Sequence, residues 1–330
     1  MLSFHAKFSS FGSHTPKKIL NNFDLEKIVE TSDEWIRTRT GMSERHIASE
    51  SEAASDLAHQ AAINCIESSD VKYRDIDMII VATISGDHPF PSTSCILQKK
   101  LGLKNIPAFD ISAGCTGFVY GIDIARQYVE NGIARNVLLV GVEILTKITN
   151  WKDRNTCVLF GDAAGATIVS RAEASDISRI IDSKIDADGS QGEFLIQQAG
   201  GSRMPASHES VDKNLHTVYM EGNRIFKNAI KSMFASSDEL LRRNHLSVSD
   251  IDWVIPHQAN LRIIEGLAEK MRVPLSKVIV NIEKYGNTSS ATIPLATDEA
   301  IRNKKIRRGD IILLTSFGAG LTWGSILARY

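Results

Sequence analysis

Polar and apolar positions along the chain write one pattern twice. DIDMIIVAT, starting at Asp75, is an acidic turn followed by a continuous apolar, partly β-branched run. Such a run predicts a short strand buried on both faces. DIDWVIPHQ, starting at Asp250, repeats it. Behind the first copy come the helix-like STSCILQKKLGL, the strand-like IPAFDIS, and then Cys115 heading the helix-like TGFVYGIDIARQYVENG. Behind the second come NLRIIEGLAEKMRV, KVIVNI, and Asn287 heading TSSATIPLATDEAIRNK. The acidic turn stands 40 positions before Cys115 (75 to 115) and 37 before Asn287 (250 to 287), and each copy closes on a further apolar strand, NVLLVGVEI or DIILLTSFG.

Two copies of one α/β unit explain this self-similarity, and they place Asn287 at the position equivalent to Cys115. Strands that are apolar throughout and alternate with helices predict largely parallel sheets with right-handed crossovers and helices on both faces. The expected fold class is α/β, in two halves, 1–172 and 173–330, with a site between them. The polar, glycine-rich stretch 189–216, with GSQGEF and GGSRMP, breaks the pattern and reads as a surface insertion or lid.

Composition adds exclusions. With 330 residues, 43% of them hydrophobic and 23% charged, the chain can bury a large core. A formal charge of −1 gives no basic field for nucleic acid or a membrane surface. The opening MLSFHAKFSSFGSH does not read as a secretory signal, and no apolar run is long enough to span a bilayer, so the expected location is the cytoplasm. Four cysteines without C-x-x-C spacing or a paired histidine suggest neither a disulfide framework nor a metal site.

Free cysteine is usually a small buried hydrophobe, and Cys65, Cys95 and Cys157, within helical or apolar runs, read that way. Cys115 stands between a strand and a helix, flanked by Gly114 and Gly117, where the helix end would favour its thiolate. His257 follows Pro256 at the C-terminal end of a strand, where ligands of α/β sheets collect. Asn287, in YGNTSS, either caps the next helix or, by the repeat, joins Cys115 and His257 on one face. The closing GAGLTWG has a nucleotide-like glycine spacing with too little chain beyond it for a dinucleotide unit, and it reads instead as a tight turn whose backbone N–H groups form an oxyanion hole at Ala319.

FDISAGCTGF, VIPHQANLRI, YGNTSSATIP and FGAGLTWGS, with TSDEWIRTRTG and RNTCVLFGDAAGA, resemble the motifs of β-ketoacyl-acyl carrier protein synthase III, the initiating condensing enzyme of bacterial type II fatty-acid synthesis. The resemblance covers nearly the whole chain. It implies a thiolase-like, five-layered αβαβα fold and a homodimer. It implies Cys115 as the acyl-accepting nucleophile, with His257 and Asn287 binding the malonyl thioester carbonyl, and the backbone of Cys115 and Ala319 as the oxyanion hole. No cofactor is implied, since coenzyme A arrives as the substrate thioester. Thr31, Trp35, Arg39, Arg154, Asn223 and Asn260 are implied in coenzyme A binding, and Phe90 in closing the partner's acyl pocket. Gln258, Ala259, Asn260, Leu261 and Arg262, with Lys227 and Lys270, are implied in docking the malonyl-loaded acyl carrier protein. Taken alone, Trp35 would be a partly buried aromatic inside a capping box from Thr31 to Glu34.

Three rival readings stand beside this one. The order Cys115, His257, Asn287 has the spacing of papain-type thiol hydrolases, although AGCTGF is not their context. A priming synthase of a polyketide or other secondary-metabolite pathway would carry the same motifs. A non-catalytic carrier-binding relative would keep the fold without needing the triad.

Overall fold

The computed structural model describes residues 4–330. Two sheets carry the architecture. The first is built from β1 (His5–His14), β2 (Met78–Ala82), β3 (Ala108–Ile111), β4 (Asn136–Ile144) and β5 (Asp162–Ala172), in the order β1-β5-β4-β2-β3. The second contains β6 (Arg179–Ala187), β7 (Trp253–Pro256), β8 (Ile311–Gly318) and β9 (Thr322–Arg329), in the order β7-β8-β9-β6. The main helices are α1 (Asp33–Thr40), α2 (Ala54–Glu67), α3 (Thr93–Lys100), α4 (Gly117–Glu130), α5 (Gly222–Arg243), α6 (Leu261–Met271) and α7 (Thr292–Arg302).

The central strands are apolar along most of their length because both of their faces are covered. Along β4, Val137 and Leu139 enter one core with Phe118, Ile122 and Val129 of α4 and Ile293 and Ala296 of α7. The alternate residues Leu138, Val140 and Val142 enter a second core with Leu57, Ala58 and Ala61 of α2. In the second sheet, Ile312 and Leu314 of β8 join the α4–α7 core, while Leu313 packs on Met233 of α5 and Ile264 and Leu267 of α6. A strand's period of two thus feeds two different cores. The layers run α2, sheet, α4 with α7, sheet, α5 with α6: an αβαβα sandwich of five layers, as the resemblance implied.

The expectation of largely parallel sheets is corrected to mixed ones. β2 pairs in parallel with β3 and β4, and β7 with β8. The pairs β1–β5, β4–β5, β8–β9 and β9–β6 are antiparallel. β8 and β9 are joined by the tight turn after Gly318, which reverses the chain as a hairpin must. KVIVNI forms no extended strand: Val278 makes a single parallel bridge to Val254, and Ile279 N donates to Val254 O at 2.9 Å. Cys65 and Cys157 are buried, whereas Cys95 is exposed on α3, contrary to its apolar context.

Candidate active site

Cys115 lies in a 3-10 turn, Gly114–Thr116, that runs directly into α4. The turn begins with Gly114 at φ 52°, a backbone that glycine adopts without strain. The end of β8 lies hard against it. A Cβ on Gly318 would come within 2.6 Å of Cys115 N, and one on Gly114 within 2.9 Å of Ala319 N. Only glycines let the backbone N–H regions of Cys115 and Ala319 approach one another in this way. Ser316 Oγ donates to Cys115 O at 2.8 Å and fixes the turn to the strand.

The thiol opens only to the pocket and is otherwise enclosed by protein. Burial pushes it up to about 12, a hydrogen bond from Ser289 works against that, and the Glu143 carboxylate nearby adds to the rise. Burial thus opposes the thiolate that the helix end would favour.

His257 follows β7 and is buried, its backbone N–H donating to Thr315 O at 2.8 Å. Its Nδ1 meets Thr292 Oγ1 at 2.7 Å, and burial lowers its pKa to about 3, so the ring is neutral. The Thr292 hydroxyl also reaches Ser289 O at 3.0 Å, but that carbonyl is already served by the Thr292 N–H, so the hydroxyl proton is free to turn to Nδ1. Nε2 then keeps its hydrogen as a donor. Asn287 is held by its backbone: N donates to Leu159 O at 2.8 Å and O accepts from Gly161 N at 3.1 Å. Ser289 N donates to Asn287 Oδ1 at 2.8 Å, so the amide's remaining group is the Nδ2 donor.

Cys115, His257, Asn287 and Ala319 all line one cavity of about 470 Å³. The segment that looked like a lid forms part of its wall. Strand Leu195–Gln197 pairs antiparallel with Val218–Met220, and Leu195, Val218 and Met220 face the cavity.

The repeat is corrected in register. Asp75 to Asp250 is a step of 175, and the same step carries Gly114 to Ser289, Cys115 to Ser290 and Gly117 to Thr292. Ser289 shares the left-handed backbone of Gly114, at φ 48°, and opens the matching 3-10 turn Ser289–Ala291 before α7. Ser290, and not Asn287, is therefore the counterpart of Cys115; Asn287 stands three residues earlier. Glu143, Ser289 and Thr292 escaped the sequence reading. The one available signal was Glu143, a lone carboxylate ending an otherwise apolar buried strand.

Residues 109–189 match the family model described as 3-oxoacyl-(acyl-carrier-protein) synthase III, and residues 241–330 match its C-terminal model. A β-ketoacyl-(acyl-carrier-protein) synthase III of Caldanaerobacter subterraneus subsp. tengcongensis is 56% identical over 97% of this chain and 96% of its own. The chain belongs to the β-ketoacyl-acyl carrier protein synthase III family. As such it is a condensing enzyme of the acyltransferase type, acting at the start of fatty-acid synthesis. The family's crystal structure from Aquifex aeolicus superposes with a TM-score of 0.91 at 46% identity, covering 98% of this chain and 100% of that one. A priming β-ketosynthase of a polyketide pathway superposes at 0.90 with 31% identity, covering 99% and 96%.

The remaining positions to which synthase III motifs point fall into three places. On the outer rim, the Arg154 guanidinium lies over the Trp35 ring at 4.9 Å and donates to Glu30 O at 3.1 Å. Thr31 Oγ1 is buried beside them without a partner. The cap of α1 is Ser32, whose hydroxyl accepts from Trp35 N at 3.1 Å, so the expected box from Thr31 to Glu34 is replaced by a single side-chain cap with Trp35 at the third helical position. Asn260 caps α6 and donates to Arg39 O at 3.1 Å, tying the two rim helices together, and Leu261 packs under Gly41. Asn223 and Asn260 line the cavity.

A second place is the exposed face shared by α5 and α6, with Lys227, Arg262 and Lys270. Arg262 lies 5.8 Å from the Phe226 ring and Lys270 5.1 Å from Phe234. Ala259 is half-buried there. Gln258 does not share that face. It is buried, its Nε2 donates to Pro256 O and Ile279 O, and its Oε1 accepts from Asn281 N. Its expected carrier contact is corrected to a scaffold role that pins β7 to the segment before Asn287. The third place is the HPFPS loop, where Phe90 is 84% exposed and does not face this chain's own cavity.

Proposed function

We propose that the enzyme joins an acyl-CoA primer, acetyl-CoA first among them, to malonyl-acyl carrier protein through an acyl-Cys115 intermediate. The observation that carries this reading is the convergence of the Cys115 thiol, the neutral His257 and the oriented Asn287 amide in one cavity. The Cys115 sulfur attacks the thioester carbonyl, the backbone N–H groups of Cys115 and Ala319 hold the oxyanion, and coenzyme A leaves. The malonyl thioester then enters. His257 Nε2–H and Asn287 Nδ2–H donate to its carbonyl oxygen and stabilise the enolate left as carbon dioxide departs. That carbanion attacks the acyl-Cys115 carbonyl, releasing the β-ketoacyl thioester and Cys115.

Indole and guanidinium both stack on planar bases, which supports Trp35 and Arg154 at the adenine, with Thr31, Arg39, Asn223 and Asn260 along the coenzyme's path. The cationic face of Lys227, Arg262 and Lys270 suits an acidic carrier protein, with Ala259, Asn260 and Leu261 at its border. Homodimerisation is supported by the half-buried edge strand β3 and by the exposed apolar Phe90 beside it, which would close the partner's pocket. The functional units are the halves 1–172, carrying the nucleophile, and 173–330, carrying His257 and Asn287, at work in the cytoplasm.

Intact-mass spectrometry after incubation with a panel of acyl-CoAs, followed by peptide mapping, tests the reading. One acyl group on Cys115 is expected, and none in Cys115→Ala. Label persisting on Cys115→Ala would sink the assignment. A preference for primers other than acetyl would move the enzyme towards the priming role of its polyketide relative.

A further inference from the structure

A Cys115 thiol near 12 must lose its proton as it is acylated, and the neutral His257 is committed through Nδ1 to Thr292. The group placed to take that proton lies on the other side. Glu143, near the end of β4, is fully buried and forms no ion pair among the described residues. Its Oε2 accepts from Ser85 Oγ, from Ile84 N at 3.2 Å and from Thr83 Oγ1 at 3.3 Å. Its Oε1 meets Ser289 Oγ and Ser290 Oγ, both at 3.1 Å. Ser289, in turn, lines the same cavity as Cys115, and its side chain eases ionisation of that thiol.

Counting hydroxyl protons shows that both states of this carboxyl are served. Ser290 Oγ lies 2.8 Å from Ala82 O as well as 3.1 Å from Glu143, yet it has one proton. When Glu143 is ionised, Ser290 gives that proton to it. When Glu143 is protonated, it donates to Ser290 Oγ, which turns its own proton to Ala82 O. Burial raises Glu143 to about 7, against hydrogen bonds from Ser85, Ile84, Ser290 and Ser289.

We propose that Glu143, acting through the Ser289 hydroxyl, is the positioning residue that takes up the Cys115 proton during acylation and returns it during condensation. In acylation the S–H proton passes to Ser289 Oγ while the Ser289 proton passes to Glu143 Oε1. The sulfur's electron pair forms the new C–S bond, and the substrate's C–S bond breaks to release coenzyme A thiolate, which is protonated by solvent. In condensation the carbanion's electron pair forms the C–C bond, the acyl C–S bond breaks, and the Cys115 sulfur regains its proton along the same path. The proposal rests on Cys115 being the nucleophile.

Cys115 is the titratable group that faces Glu143 from the α4 side. Asp162, on the adjoining strand β5, is occupied by Ala48 N, Thr146 N and Thr146 Oγ1. Asp87, on the loop after β2, is held by Ser55. On α2, Asp56 pairs with Lys100, and on α7, Asp298 pairs with Arg302 and Glu299 with Lys284.

The test is the pre-steady-state rate of Cys115 acylation, followed by intact mass from pH 5.5 to 9.5. The wild-type rate should rise through an inflection near the titration of Glu143 and then level. In Glu143→Gln and Ser289→Ala that inflection should vanish and the rate near neutrality fall by about 100-fold, the ordinary loss of a general base. Malonyl decarboxylation should stay within about threefold, because the Ser289 backbone still orients Asn287, and Glu143→Asp should restore part of the rate. A wild-type pH profile in either variant, or equal loss of acylation and decarboxylation in both, would overturn the proposal. Ser289→Ala decides the matter if Glu143→Gln does not fold. An absence of label on wild-type Cys115 would refute the nucleophile assignment instead.

Discussion

Thr292→Val isolates the hydrogen bond that sets the His257 tautomer. Threonine and valine have nearly the same shape, and Thr292 is buried, so the substitution removes a hydroxyl and leaves the packing of α7 in place. What disappears is the 2.7 Å contact with His257 Nδ1, together with a 3.0 Å contact to Ser289 O, a carbonyl that the Thr292 N–H still serves. His257 is 2% exposed, so water cannot replace the lost partner. An unsatisfied buried acceptor costs about 1–3 kcal/mol. That cost falls on the tautomer that keeps a hydrogen on Nε2, the one needed to donate to the malonyl carbonyl. At about 1.4 kcal/mol per factor of ten, decarboxylation should slow by roughly 5- to 150-fold. Acylation of Cys115 does not use that donor and should change by less than about twofold. Carbon dioxide release from malonyl-carrier protein and acyl-enzyme formation by intact mass read the two steps separately, and Thr292→Ser should recover decarboxylation. Unchanged carbon dioxide release, or a parallel loss of both steps, would refute the reasoning.

The other predictions follow from the same geometry. Gly318→Ala puts a Cβ 2.6 Å from Cys115 N, so about 1–3 kcal/mol of overpacking should lower the melting temperature and slow acylation more than tenfold. Full acylation in a folded variant would show that the turn is not clamped there. Reversing charge at Lys227 and Arg262 should raise KM for malonyl-carrier protein and weaken its salt dependence while leaving acylation by acyl-CoA nearly unaltered. Equal effects on both substrates would move the docking face elsewhere.

Stability should carry two opposed pH slopes. Burial lowers His257 to about 3 in the folded chain from its ordinary 6.5, so its contribution is present above 6.5 and drains away as pH falls towards 3. Glu143 titrates at about 7 against 4.5, so its contribution is present below 4.5 and is lost as pH rises through 7. Glu143→Gln should therefore flatten the neutral side of a melting-temperature profile; the same slope as wild type there would contradict the burial effect.

The five layers were legible because apolar runs such as NVLLVGVEI can only be strands covered on both faces, and the structure divides their alternate residues between two cores. That Cys115 and His257 would meet in one cavity was legible through turn context: glycines around Cys115, a strand end before His257. What escaped was pairing. Nothing local in DIILLTSFG says that β9 returns antiparallel, since direction is set by how tight the following turn is. Nothing in VIPHQ separates His257, aimed into the cavity, from Gln258, turned inward to three backbone groups. Adjacent strand-end residues point to opposite sides, and which side is the site depends on the partner half.

The duplication also explains why, of two equivalent turns, one opens its cysteine to the cavity and the other is closed. Each half presses its 3-10 turn onto the central strand of the other half. Ser316 receives the carbonyl of Cys115, and Gly141, 175 positions earlier, lies against the carbonyl of Ser290, where a Cβ would come within 2.3 Å. Two residues further along each strand, the same step pairs Glu143 with Gly318. Glycine at 318 leaves the space in front of Cys115 open for a thioester carbonyl. Glutamate at 143 fills the corresponding space before Ser290 with a carboxyl satisfied by Ser85, Ile84, Ser289 and Ser290. The same alignment sets His257 opposite Ala82, so a donor stands where the other half has only a methyl. The choice of residue at two strand positions, rather than any difference in the two turns' backbone, opens one turn to the cavity and makes the other its buried support.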